Sequence, residues 1–171
     1  VDFAGNIKAS GTIQSGSSIT IDGTAGSENI ASSASLEFRT AAGRALRLEN
    51  NATSPNLIGG YSGNTVTAGV NGAAITGGGW PGAPNVVNGD FGIVVGGTKN
   101  TASSFATIGG GNDNIASGIG SIIGGGRGNT ATGVFSTVPG GADNVALGSY
   151  SFAAGLRAKA NHSGAFVWAD S

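Results

Sequence analysis

Residues 105–118 read FATIGGGNDNIASG: three glycines, then Asn112-Asp113-Asn114, then a β-branched residue. Such a stretch could cradle a phosphate, ring a calcium ion, or turn the chain as one unit of a repeat. The flanking sequence decides. GSIIGGGRGNTATGV follows directly, and FSTVPGGADNVALGS follows that. Aligned on the asparagine after the glycines, the copies place Asn114, Asn129 and Asn144 at a spacing of 15 residues. Upstream, FGIVVGGTKNTASS puts Asn100 14 residues earlier. AITGGGWPGAPNVVNGD supplies Asn85, with three extra residues between glycines and asparagine, and NLIGGYSGNTVTAG supplies Asn64. Downstream, YSFAAGLRAKANHSG is a looser copy with Gly155 in the glycine slot. Residues 54–171 therefore hold about seven copies of one unit.

Each slot has a physical character. About six residues before the asparagine the unit assigns Ile58, Thr76, Val94, Ile108, Ile123 and Val138, the second of these across the insertion. Two residues after it come Val66, Val87, Ala102, Ala116, Ala131 and Ala146. Phe91, Phe105, Phe135 and Tyr150 open four copies, and Gly69, Gly89, Gly118, Gly133 and Gly148 close five. A period near 15 is too short for a helix pair, and the unit is poor in helix formers. It suits one turn of a β-solenoid, two strands of three to five residues joined by tight turns. Glycines supply positive φ at the corners, and asparagine tolerates the left-handed region. Stacking sets like on like ~4.8 Å apart. Asn64, Asn100, Asn114, Asn129 and Asn144 then form an amide ladder beside a β-branched file.

Such a coil is thin. Two or three inward side chains contribute about 1.5–3 kcal/mol each. Ordering ~15 residues costs on the order of 15–30 kcal/mol before hydrogen bonds and dispersion offset it. A single coil cannot fold, and a stack improves the balance. The alternating FxTxG strand carries apolar or small residues on both faces, so its second face is expected to be buried against another chain. An obligate oligomer follows.

Composition narrows the function. The chain has 34 glycines, 10% charged residues and a net charge of -1. Its eight basic residues are scattered, which excludes the electrostatic footprint of nucleic-acid or acidic-membrane binding. Absence of cysteine removes disulfides, thiolate metal sites and a cysteine nucleophile. Without a starting methionine, the chain reads as cut from a longer one. No apolar run approaches the ~18 residues of a membrane span. Glycine at every third position, as in collagen, is absent.

The repeat resembles the YadA-like head repeats of trimeric autotransporter adhesins, and similar repeats occur in phage tail-fibre proteins. The likeness is clearest in GSYSFAAGLRAKANHSGAFVWADS, where Gly148, Ser151, Ala153, Gly155, Ala158 and Ala160 match the small-residue pattern. In the earlier copies IGGG replaces the usual xAxG, and WPGAPN (Trp80–Asn85) is an insertion. The resemblance covers about residues 54–171. It implies a left-handed parallel β-roll, homotrimeric, with one strand of each coil facing a threefold axis. It also implies display and adhesion, either at a bacterial cell surface, anchored to the outer membrane, or on a virion tail fibre.

Residues 1–53 lack the repeat and read as a small β-strand and hairpin module before the roll. SSITIDG (Ser17–Gly23) alternates as a strand does. SLEFRTAAGRALRLEN reads as a hairpin, with Leu36 and Phe38 opposite Leu46 and Leu48. Arg39, Arg44 and Arg47 near Glu37 and Glu49 suggest a solvated cross-strand charge pattern; a ligand-binding arginine cluster is the alternative. The segment resembles, more loosely, the β-hairpin modules that precede repeats in phage fibres and large surface proteins.

Catalytic readings fare poorly. GGGRGNT lacks the Gly-Lys-Ser/Thr ending of a phosphate loop. Asp113 and Asp143 fill a slot taken by Lys99 and Gly128 in other copies, so they do not assemble the six or more oxygens calcium needs and read as turn-capping. His162, the single histidine, lies at a turn and reads as solvated or ladder-capping; an anion or metal on a trimer axis is the other option. Paired carboxylates for glycoside cleavage are not evident among nine scattered acids. No cofactor or metal is expected, and no enzyme activity. The binding candidates are Trp80, Pro81 and Asn85 of the insertion, which could touch a host surface protein or a glycan. Trp80 could equally fold back over the hairpin junction, and Trp168 reads as core. Two rival functions remain. One is a tail-fibre module that binds or cleaves carbohydrate. The other is an ice-binding solenoid, for which the file Thr65, Val86, Thr101, Ile115, Thr130, Val145 mixes threonine with aliphatics.

Overall fold

The computed structural model describes residues 35–41 and 43–170, and every regular element among them is a β-strand. The strand read over Ser17–Gly23 lies outside the described residues. The hairpin comes first, as β1 (Leu36–Thr40) and β2 (Gly43–Glu49). Leu36 pairs with Leu48 and Phe38 with Leu46, as the alternation predicts. β2 then pairs antiparallel with β3 (Asn56–Gly59). From β3 onward, strands pair in parallel, coil upon coil. The hairpin thus forms the first rungs of the same eleven-stranded sheet that runs through the repeats.

Every coil lends one strand to this first sheet and one to a second, seven-stranded sheet. With the closing strand Phe166–Ala169, the stack makes about eight turns. Most strands are only two residues long, one side chain in and one out, shorter than the three to five the repeat suggested. The coil is so narrow that a corner follows each inward residue within a few positions, at glycine in many copies and at Phe105 after Ala102.

The interior is two facing files. In the first sheet Ile58, Ile75, Val94, Ile108, Ile123 and Val138 lie in register with no exposed surface. Ile75 holds the place the spacing assigned to Thr76. The three-residue insertion upsets counting back from Asn85, and the apolar side chain takes the dry position. Thr76 is exposed, its hydroxyl donating to the Val95 carbonyl at 2.5 Å. In the second sheet Val66, Val87, Ala102, Ala116, Ala131, Ala146 and Ala160 stack in register. A third buried file runs Ala73, Gly92, Ala106, Ser121, Ser136, Ser151, and the three serine hydroxyls have no hydrogen-bond partner.

The asparagines are not at the corners. Asn64, Asn85, Asn100, Asn114, Asn129 and Asn144 are fully buried. Each Oδ1 accepts the backbone N–H of the next coil's asparagine, at 2.9 to 3.1 Å from Asn64 through Asn144. From Asn100 onward, each Nδ2 donates to a glycine carbonyl four residues back, Gly96, Gly110, Gly125 or Gly140. It also donates to one in the next coil, Gly111, Gly126, Gly141 or Gly155. The amide ladder is therefore a seam that satisfies backbone groups facing a dry interior. It ends at Ala158, whose N–H is the last to reach an asparagine oxygen, Oδ1 of Asn144, at 2.9 Å. The left-handed backbone expected of asparagine falls instead on the residue before it: Lys99, Asp113, Gly128, Asp143 and Arg157, all at φ 57–65°.

Candidate interaction surfaces

The outer face of the first sheet carries apolar side chains along its length, interrupted by Thr76 and by Thr107 and Thr137, which lie in register with Ile93 and Ile122. β-alternation turns Phe38 and Leu48 of the hairpin, Ile93 and Val95, Ile122, and finally Phe166 and Trp168 to the same side, all exposed. Phe166 and Trp168 are 71% and 68% exposed. Trp168, expected in the core, is outside because period-two alternation turns Val167 inward between them. Phe152 stacks on Phe166 with centroids 4.7 Å apart. Near Trp168 a groove of about 340 Å³ is lined by Pro139, Gly140, Gly141, Ala154 and Gly155.

One rim of this face carries the aromatic slot. Gly72, Phe91, Phe105, Gly120, Phe135, Tyr150 and Gly164 occupy one corner position, each with positive φ. The four rings stack in pairs, Phe91 on Phe105 at 5.2 Å and Phe135 on Tyr150 at 5.8 Å. Sequence reading found the slot but not its backbone. The exchange of aromatic for glycine at one position, three times over, was the available signal.

A different edge carries the insertion. Trp80-Pro81-Gly82-Ala83 closes on itself, the Trp80 N–H reaching the Ala83 carbonyl at 3.2 Å and the Ala83 N–H the Trp80 carbonyl at 2.8 Å. Proline at the second position and Gly82 at φ 81° are the signature of a type II turn. The turn holds Trp80 in solvent, 69% exposed, so it does not fold back as a cover. Pro81 is exposed beside it. Asn85 is not with them: it is fully buried, donating to Gly77 and Gly97 carbonyls as a rung of the ladder.

Along the same edge Thr98, Asn112, Arg127 and Ala142 form a third line of parallel bridges, which the sequence reading missed. Here Lys99 Nζ meets Asp113 Oδ2 at 3.0 Å, and Arg127 lies 3.9 Å from Asp143. Both aspartates thus face cations, and among the described residues no group of three or more His, Asp or Glu could hold a metal ion. His162 is exposed. In the hairpin the ion pairs run along each strand, Arg39 to Glu37 and Arg47 to Glu49, and not across it. Arg44 caps the first coil, donating to the Ser62 and Asn64 carbonyls at 2.9 and 3.0 Å. Burial, with Arg47 beside it, pulls its pKa below the usual guanidinium value. On the second sheet the outward file is Thr65, Val86, Thr101, Ile115, Thr130, Val145 and Lys159, in register but chemically mixed.

No protein-family model and no curated protein matches this chain. The fold and its surfaces therefore carry the functional reading.

Proposed function

We propose that this chain is the head of a homotrimeric surface fibre, a non-catalytic adhesin or receptor-binding module of the YadA-like kind. In this reading three left-handed rolls pack their first sheets around a threefold axis. The observation that carries it is the outer face of that sheet: Ile93, Val95, Ile122, Phe166 and Trp168 are exposed on a scaffold with a core one residue wide per strand. Large apolar side chains exposed in this number on one face support an interaction site there. The Trp80 turn, on another edge, remains free to touch a host glycan or surface protein, and three copies gain affinity through avidity. A bacterial adhesin anchored at the outer membrane and a virion tail fibre are the settings in which such a head works. The mixed outward file of the second sheet lends an ice-binding role no support.

The test is attachment. The assembled protein is applied to cell-surface glycans and proteins in an array, alongside Trp80→Ala. Retention of the native protein and its loss in the variant are expected. Glycan release, thermal hysteresis, or no attachment at all would count against the reading.

A further inference from the structure

Resting on the threefold reading above, we propose that the assembly closes head to tail, the aromatic ridge of one copy lying in a glycine trough of the next. The ridge is Phe91, Phe105, Phe135 and Tyr150, at φ 54–59°. Glycine fills the same position in Gly72, Gly120 and Gly164 without strain. A side chain there is disfavoured because its Cβ crowds the following carbonyl oxygen. Within the chain the rings stack in pairs, yet all four stay exposed, Tyr150 by 69%. Phe91 also lies over Gly72 and Phe135 over Gly120, so the rings' partners within the chain are on one side and their exposed sides are left for a partner outside it.

The trough is the opposite rim of the same face. Most glycines of the repeat answer to the chain's own geometry. Gly97, Gly111, Gly126 and Gly141 have φ 75–98°, and a Cβ on any of them would strike the next coil's glycine carbonyl. In the next slot Gly110 has φ 153° and needs glycine for its own backbone, but Gly96, Gly125 and Gly140 are different. They lie outside the left-handed region, and a Cβ on each would meet nothing within 4 Å. No contact inside the chain demands glycine at these positions. A body approaching from outside does. At the C-terminal end this rim opens into the groove beside Trp168.

Periodicity identifies the occupant. Every coil contributes one position to the ridge and one to the trough, so the two share a pitch. A second copy of this chain matches that pitch rung for rung; a partner without the repeat does not. Because ridge and trough are different surfaces, the contact is heterologous, and successive copies close as a ring.

The chain has no cysteine, so single thiols can be placed without background. Chains carrying Phe135→Cys are co-expressed with chains carrying Gly140→Cys, or Gly125→Cys one coil below, and treated with a short bis-maleimide. A covalent dimer is expected only from the mixed pairs. In parallel, Gly125→Leu with Gly140→Leu is expected to keep the β-sheet circular dichroism signal and lose the trimer mass. Linkage of like variants alone, or an assembled native protein that gives no mixed linkage, overturns the ridge-in-trough contact while leaving the trimer standing. So does a leucine variant that assembles unchanged. A native protein that is monomeric overturns the threefold reading itself and leaves the trough to a foreign partner. The cross-linking result stands even if the leucine variant fails to fold.

Discussion

The side-chain oxygen of Asn129 receives two hydrogen bonds from Asn144, one from its backbone N–H at 3.0 Å and one from its amide at 3.0 Å. Asn129 in turn donates to the Gly125 and Gly141 carbonyls, both at 3.0 Å. Asn129→Ala would strand the Asn144 N–H and the Gly125 carbonyl, while the Gly141 carbonyl keeps the Arg127 N–H and the Asn144 amide keeps Gly140 and Gly155. Each unpaired buried group costs roughly 1–3 kcal/mol, so a total loss of about 3–5 kcal/mol is expected. The midpoint of denaturant unfolding measures it, and a loss under ~1 kcal/mol would contradict the seam's role.

Ser136 gives the opposite sign. Its hydroxyl is buried without a partner between Ser121 and Ser151, in a file that also holds Ala73 and Ala106. Ser136→Ala removes a desolvated polar group and leaves a side chain the file already accommodates. Stability is expected to rise by about 1 kcal/mol, read as an upward shift in Tm.

Ile122 and Ile123 are neighbours in sequence and opposites in role. Ile123 is fully buried between Ile108 and Val138, and Ile123→Ala should lower stability by about 2–5 kcal/mol. Ile122 is 47% exposed on the outer face. Ile122→Ser should leave the coil intact by circular dichroism and weaken assembly, seen as mass loss on dilution.

Asp113 tests the calcium alternative. Its carboxylate pairs with Lys99 on the surface, where such pairs contribute about 0–1 kcal/mol. Asp113→Ala should change stability by no more than that. Neither added calcium nor a chelator should move Tm; a rise with calcium would restore the ion-binding reading of the GGGNDN turns.

The repeat was legible because one residue type with strict hydrogen-bond demands recurs at Asn64, Asn85, Asn100, Asn114, Asn129 and Asn144. The alanine and valine file of the second sheet followed from the same alignment. Other features left weaker marks. Backbone sign is invisible in side-chain identity, so the left-handed aromatics showed only as an exchange of phenylalanine for glycine. The insertion shifted Ile75 against Thr76, because counting residues cannot see a turn that closes on itself. AFVWAD looks like core by hydropathy, yet only Ala165, Val167 and Ala169 pack against the interior, and Phe166 and Trp168 face out. The third line of bridges, through Thr98, Asn112 and Arg127, joins unlike side chains and has no apolar signature.

The most direct measurement is the mass of the native protein by sedimentation equilibrium. Three copies of the 16.4 kDa chain, dissociating only as the fold is lost, are the expected result. A stable, fully folded single chain at micromolar concentration would contradict the claim that the apolar outer face of the first sheet exists to be covered by its own kind.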